Sequence, residues 1–490
     1  MSRRSWTLAG VLAVVVVLVG AYVLVTRARP GSTAKVPDQI SLSKGDKTKI
    51  VRVALTDRAE GPLVIDKKAG KWTTDPPLSV ALDDTSIDNL LDDFSSLNAQ
   101  RVIEEKPTEL SQFGLAPPRA AATATWEDGT SHTLLLGDKA PSGSTYYIQV
   151  KGDPKVYSVE SYNGQHFHWT LKDIRSRTLT PAINWDEVSY VKITEPGGTV
   201  IEVRKKLESE NKSFQLGFGQ FLMTRPYRLP RGLDSQKQDT VIKGAQAVSI
   251  SDFADEPLKP LSAYGLQPPK AEVVVRDKSN TLDLIFGDQK GTQTWFAVRG
   301  QPGVYLVDTS SLDFLKTKPF DVIDKFTFIP NIEDVDRIDI AAGGETHTLV
   351  ITRTVKKAAN APAATNVPSG PNAQAAQKPA EQPKDEVTTT YTADGKTVEE
   401  DNFKKFYQAV IGLQIEGETA HQVPDAPEVS TTYYLNKGES RKVKVDYAPY
   451  DRDFDAIFVD GTGQFALTKG QLSGMLDKLN LLITGQKVPD

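Results

Sequence analysis

Phe113-Gly114-Leu115-Ala116-Pro117-Pro118 returns further along the chain as Tyr264-Gly265-Leu266-Gln267-Pro268-Pro269. The landmarks that follow return with it. After the first copy come an alternating strand pattern, Leu136-Gly137-Asp138, Tyr146-Tyr147-Ile148, Gly152-Asp153-Pro154 and Val156-Tyr157-Ser158-Val159. After the second come Phe286-Gly287-Asp288, Trp295-Phe296-Ala297-Val298, Gly300-Gln301-Pro302 and Val304-Tyr305-Leu306-Val307. Gly and Pro fix backbone angles that few other residues accept, so turns and strands shared at shared spacing mark a duplicated folding unit.

Working outward, residues 48–180 form a first module. Ile50-Val51-Arg52-Val53-Ala54-Leu55 alternates as a strand, and Pro62-Leu63-Val64-Ile65 and Lys71-Trp72-Thr73 extend it into a meander. The period then changes. Asp83-Asp84-Thr85-Ser86 supplies N-cap candidates, and Ile87, Leu90, Leu91, Phe94 and Leu97 fall at helical spacing. Residues 121–126 and 132–136 read as a hairpin, 146–150 and 156–159 as another, and 161–175 as a closing helix. A second module, 181–327, follows the same order, although the apolar spacing of 235–248, where its helix belongs, is poorer. A third, degenerate copy occupies 328–490. There Glu399-Glu400 opens a helix with Phe403, Phe406, Tyr407 and Val410 on one face, Asp446-Tyr447-Ala448-Pro449 echoes Asp138-Lys139-Ala140-Pro141, and 471–482 closes. Residues 358–386 are rich in Ala, Pro, Asn, Gln and Lys, so we expect a disordered insertion within one hairpin loop of this copy. The expected fold class is α+β: three repeated, mainly antiparallel β modules, each with one or two helices, preceded by an N-terminal transmembrane helix.

That last element rests on residues 6–25, a charge-free stretch between Arg3, Arg4 and Arg27, Arg29. Twenty helical residues span about 30 Å, the thickness of a bilayer core. We read 1–28 as a cytoplasmic leader and signal-anchor with the lipid bilayer as partner, 29–47 as a polar tether, and the bulk of the chain as extracytoplasmic at the inner membrane. A cleaved signal peptide is the competing reading. It is disfavoured by the length of the apolar run and by the lack of a small-x-small cleavage site.

The chain of 490 residues carries a net charge of -5 with a pI near 5.8, which offers no electrostatic footprint for nucleic acid. With no cysteine, thiol nucleophiles, thiolate metal sites and disulfides are excluded. There is no Gly-rich phosphate loop, no Gly-x-Ser-x-Gly elbow and no His-Glu-x-x-His, and neither a catalytic residue, a cofactor nor a metal site is assigned. His166 and His168 would share a face on a strand but not in a closing helix, and Asp451, Asp453 and Asp455 lack the central Gly and terminal Glu of a calcium loop. The repeated loop positions Gly137, Asp138, Gly287 and Asp288 are the strongest candidates for a ligand contact, with an Asx-type turn as the plain alternative. Gly114, Pro117, Pro118, Gly265, Pro268 and Pro269 are read as structural turns.

The basic leader, the Gly-Leu-x-Pro-Pro motif, the Leu-Gly-Asp turn and the Val-Tyr-x-Val strand together resemble the bacterial family called domain of unknown function 4340 (DUF4340). The resemblance implies a membrane-anchored extracytoplasmic protein, in a family associated with ABC-transporter components of the gliding-motility type, and it carries no catalytic residues. The expectation is therefore an envelope scaffold with a protein partner, including ABC-transporter subunits. The alternative is an envelope hydrolase or carbohydrate-acting enzyme, which needs two carboxylates at a defined separation.

Overall fold

The computed structural model of the protein describes residues 40–211, 217, 219–356, 386–420, 426–437 and 441–490. The chain divides into two compact units, the first ending at Arg177 and the second running Thr178–Asp490.

The first unit is built on strands β1 (Ile50–Thr56), β2 (Leu63–Lys68), β3 (Lys71–Thr74), β4 (Arg101–Glu104), β5 (Ala120–Trp126), β6 (Ser131–Lys139), β7 (Thr145–Val150) and β8 (Val156–Glu160), with helix α1 (Asp84–Ser95) after β3 and helix α2 (Ser161–His166) after β8. They pair in the order β3-β2-β1-β5-β6-β7-β8-β4. Every pairing is antiparallel. The first meander thus runs outward from β1, the second meander starts beside β1 and runs the other way, and the short strand that precedes it closes the far edge.

The second unit repeats this order twice. Its first sheet comprises β9 (Tyr190–Thr194), β10 (Val200–Lys205), β11 (Phe221–Arg225), β12 (Arg231–Gly232), β13 (Asp252–Phe253), β14 (Ala271–Arg276), β15 (Thr281–Lys290), β16 (Gln293–Val298) and β17 (Tyr305–Asp308), with α3 (Gln238–Ile242) between β12 and β13. The order is β12-β11-β10-β9-β14-β15-β16-β17-β13. Its second sheet comprises β18 (Val335–Ala342), β19 (Glu345–Lys356), β20 (Glu386–Ala393), β21 (Lys396–Val398), β22 (Gly417–Glu418), β23 (Val429–Leu435), β24 (Lys442–Pro449), β25 (Phe454–Val459) and β26 (Thr462–Thr468), with α4 (Glu400–Ile411) and α5 (Lys469–Ile483). The order is β21-β20-β19-β18-β23-β24-β25-β26-β22.

Helices cover one face of each sheet. Asp83 caps α1 by accepting from the Ser86 amide, and Ile87, Leu90, Leu91 and Phe94 are buried on the sheet. In α4 the buried face is Phe403, Phe406, Tyr407 and Val410, and in α5 it is Leu472, Met475, Leu479 and Leu482. The poor apolar spacing of 235–248 has its counterpart here: α3 lasts one turn and passes into a 3₁₀ turn at Gly244–Ala247, burying Val241, Ile242 and Ala245. The apolar interior of the first sheet is one cluster. The two sheets of the second unit share another.

Four expectations are affected. The fold is mostly β, with four antiparallel sheets counting the two-stranded pair of Ile40–Ser41 with Asn98–Ala99, so the α+β reading overweighted the helices. The closing helix of 161–175 breaks into α2 and Leu171–Ile174, and its counterpart is a 3₁₀ helix, Thr309–Lys316, followed by Pro319–Val322 with proline at its start. Among the described residues no helix is long and apolar enough to cross a membrane; the expected transmembrane segment, 6–25, lies outside the described residues. Finally, the end of the polar stretch 29–47 belongs to the first unit, because Ile40–Ser41 pairs with Asn98–Ala99 and Leu42 and Ser43 are buried.

The insertion expected at 358–386 lies outside the described residues except for Glu386. Its flanks pair with each other from Leu349↔Ala393 out to Lys356↔Glu386, so residues 357–385 join the two arms of one hairpin.

Phe406 is fully buried. Phe406→Ala should cost about 3–5 kcal/mol, read as a fall in the denaturant midpoint of the second unit.

Candidate functional site

The turn residues and the loop positions come together as two halves of one lock. Leu110–Phe113 makes a 3₁₀ turn ended by Gly114 at φ 67, and Leu261–Tyr264 makes its twin ended by Gly265 at φ 69. The Leu115 amide reaches back to the Leu110 carbonyl and the Leu266 amide to that of Leu261, a left-handed closure that favours glycine. The Ala116-Pro117 and Gln267-Pro268 peptides are cis. Each loop then rejoins its sheet, where the Arg119 amide donates to Leu136 and the Lys270 amide to Phe286.

The Gly-Asp positions receive this loop. Between Leu136 and Lys139, and between Phe286 and Gln289, the strand register slips, so Gly137-Asp138 and Gly287-Asp288 are β-bulges. A Cβ at Gly137 would lie 2.1 Å from the Phe113 carbonyl oxygen, and one at Gly287 2.1 Å from that of Tyr264. Conversely, Gly114 and Gly265 lie against the Asp138 and Asp288 side chains. Asp138 pairs with Arg119 at 2.6 Å and Asp288 pairs with Lys270. An edge-on ring pair completes each lock, Phe113 with Tyr147 and Tyr264 with Trp295. These ten positions therefore fall together in or beside the two locks on the outer faces of two sheets.

In the third sheet the register shows that the sequence echo was displaced. Tyr447 pairs with Val429 and accepts from the Glu428 amide, as Leu136 pairs with Ala120 and accepts from Arg119. Tyr447 is thus the counterpart of Leu136, and Ala448-Pro449 takes the place of Gly-Asp without a bulge at that point.

A polar joint that sequence reasoning did not find links the two sheets of the second unit. The segment after β11 reaches across: Tyr227 donates its hydroxyl to Glu418 at 2.7 Å, its ring lies 5.0 Å from that of Phe465, and the Arg228 amide donates to Gln464 at 2.6 Å. The Arg231 guanidinium stands over the Phe465 ring and donates to the carbonyls of Asp324, Phe326 and Thr327. Lys206 donates to the Gly217 carbonyl, and Lys325 to the Phe320 carbonyl while lying on the Phe320 ring. A cleft of about 260 Å³ opens here, lined by Gly217, Arg231, Asp324, Thr327, Val443 and Asp460 among others. Burial lowers the pKa of Lys206 and of Arg231, and pushes Lys325 down to about 8; burial, then the bond to Glu418, raises Tyr227. Three cations here are bonded to main-chain carbonyls. That arrangement immobilises the connecting backbone between the sheets. The partners are up to 236 residues apart in sequence, and no local periodicity marks them.

The other candidates separate. His166 ends α2 and donates from Nδ1 to Asp93 at 2.8 Å, whereas His168 meets Glu60 at 3.0 Å. Among the described residues no group of three His, Cys, Asp or Glu side chains is placed to hold a metal ion. Asp451 accepts from the Asp453 and Phe454 amides as a turn does, while Asp455 is buried against Lys469 at 2.8 Å. Asp93, the partner of His166, had no signal of its own beyond its place in the helix.

Comparison with known proteins gives one family. The model of the family described as Domain of unknown function (DUF4340) matches residues 72–261 and 222–433. No curated protein and no solved structure matches.

Gly287→Ala should lower the stability of the second unit by about 1–3 kcal/mol, because the carbonyl of Tyr264 cannot retreat without opening the turn. Asp288→Asn, which removes only an exposed ion pair, should cost less than about 1 kcal/mol. Urea titrations followed by Trp295 fluorescence compare the two. At the joint, Lys325 binds its proton less tightly folded than unfolded, so the folded state gains as pH rises from about 8 toward 10.5. The native protein should therefore gain stability relative to Lys325→Met between pH 7 and pH 10; a difference that stays constant across that range would contradict the burial.

Proposed function

This chain belongs to the family described as Domain of unknown function (DUF4340), and from that premise we propose that it serves as a scaffold or interaction protein of the bacterial cell envelope. It works outside the cytoplasm, and its partners are envelope proteins, with ABC-transporter subunits of the gliding-motility type first among them. The observation that carries this reading is the joint at Tyr227, Arg231, Glu418 and Phe465. A binding module gains affinity when its surfaces are held in fixed relation before the partner arrives. Here a shared apolar core and a set of polar bonds at its rim hold two sheets of one topology together.

The rest of the architecture is suited to contact through main chain and sheet faces. Edge strands in all three large sheets are short, from two to four residues, a form that limits indiscriminate pairing while leaving backbone groups at the rim. Extracytoplasmic placement is supported by the basic leader with Arg3 and Arg4 and the charge-free stretch 6–25 that follows it, read from sequence.

Two measurements test the reading. A reporter active only outside the cytoplasm, fused after Asp490, should be active; activity of a cytoplasm-only reporter at the same position would overturn the placement. Affinity purification of the full chain from membranes should recover an envelope partner in amounts comparable to the bait, and recovery should fall at least about tenfold, or about 1.4 kcal/mol, in Tyr227→Ala if the fixed geometry matters. Failure to recover any envelope protein would sink the scaffold.

A further inference from the structure

The first unit buries a carboxylate against an imidazole where the equivalent place in the second unit is apolar. The two places correspond by register. Tyr146 pairs with Lys139 just past the first bulge, as Thr294 pairs with Gln289 past the second. Two residues upstream, the Ser144 carbonyl accepts from the Ser161 amide, and the Thr292 carbonyl accepts from Thr309. Counting on from Ser161 and Thr309, His166 corresponds to Phe314. Phe314 lies against Gly244, where a Cβ would come within 2.7 Å of the ring. His166 instead donates Nδ1–H to Asp93 at 2.8 Å, with both side chains 2% exposed. The fold can close this position with an aromatic ring on a glycine, so the polar pair answers to something other than packing.

The surroundings bear on how the pair handles a proton. From α1, Asp92 adds like charge, although Lys47 takes its carboxylate and that of Asp88 at 2.8 Å each. From α2, Asn163 donates to the second Asp93 oxygen at 3.3 Å and the Tyr162 ring meets the imidazole edge-on at 4.6 Å. From the chain that follows, Trp169 lies 4.3 Å from the imidazole, His168 is turned to Glu60, and Arg58 is bonded to the Phe167 and Trp169 carbonyls. From the leading segment, the Ser43 hydroxyl donates to the Asp93 carbonyl at 2.7 Å, and the Leu42 amide to Leu97. The imidazole Nε2 is buried with no hydrogen-bond partner.

Burial holds the Asp93 carboxyl above the ordinary range, with the bond from His166 pulling back. With a neutral imidazole the pair leaves a net negative charge in the interior, which burial disfavours. With an imidazolium the pair is neutral overall, which removes that buried net charge. We propose that the Asp93–His166 pair is a proton-operated latch: taking up a proton, it clamps α2 onto α1, and losing that proton it loosens α2 together with residues 40–43, which α1 holds through the Asp93 carbonyl. The sign follows from linkage. A folded state that binds one more proton at this pair than the unfolded state is strengthened as pH falls and weakened as it rises.

The test is hydrogen exchange on the full chain between pH 6 and pH 8, corrected for the intrinsic exchange rate. Protection of the amides in 40–43 and 161–166 should fall with rising pH by up to about tenfold per unit, the limit for one linked proton. The amides of 238–247, whose counterpart contact is Phe314 on Gly244, should stay flat. The double variant Asp93→Ala, His166→Phe should fold with the dependence removed. Protection in the native chain that does not change with pH, or a double variant that keeps the native slope, overturns the latch. Should the double variant fail to fold, ¹⁵N shifts of the native His166 ring decide: both nitrogens protonated at pH 6 and one at pH 8 support it, and an unchanged state across that range overturns it.

Discussion

Each large sheet depends on one long-range pairing, the antiparallel seam between its opening strand and the strand that starts its second meander. The seams are β1 with β5, β9 with β14 and β18 with β23. A meander alone would leave its first strand as an exposed edge. Placed at the seam, that strand is hydrogen-bonded on both sides, and its inward residues, Val53 and Leu55 in the first sheet and Ile338 and Ile340 in the third, are almost wholly removed from water. The rest follows from this. The chain between the two meanders must cross the sheet face, which is where the helices lie, and it must leave one short strand at the far edge before turning back to the seam.

Much of this was legible from residues alone because it obeys a local period. The strands of the first module and the buried faces of α1 and α4 repeat every two or every three to four residues, and the duplicated turns are fixed by glycine and proline. What failed was either non-local or off-period. The bulge residues break the count between strands, so Asp446-Tyr447-Ala448-Pro449 was laid over the wrong part of the first module. The closing segments carry helical spacing, yet Pro319 and the break after His166 shorten them. The transmembrane expectation concerns residues the described structure does not include.

The candidate site was the least legible part. Gly137, Asp138, Gly287 and Asp288 were identified as special, but the turns they receive lie more than twenty residues earlier, at Phe113 and Tyr264, and that contact needs the folded register to be seen. The joint is harder still. Tyr227 and Glu418 are 191 residues apart, and an Arg whose acceptors are carbonyl oxygens leaves no complementary acidic residue to find. Asp93 sits on the buried side of a helix, one position away from a solvated aspartate, and only the imidazole of His166 distinguishes it.

The third sheet lacks the Gly-Asp bulge and, among the described residues, its outer face carries only the small cluster Ala448, Ala456 and Phe458. The remaining outward residues there include Tyr434, with Arg337 on its ring at 4.6 Å and Lys442 at 5.6 Å, and the pairs Arg337–Asp339 and Lys444–Asp446. At the position held by Arg119 and Lys270 in the other sheets stands Glu428, paired with Lys469. Duplication would have made three interchangeable copies. Shedding the cover and inverting that charge makes the copies distinguishable, so the chain has a direction, and a ligand that meets the last sheet meets a surface the first two do not display.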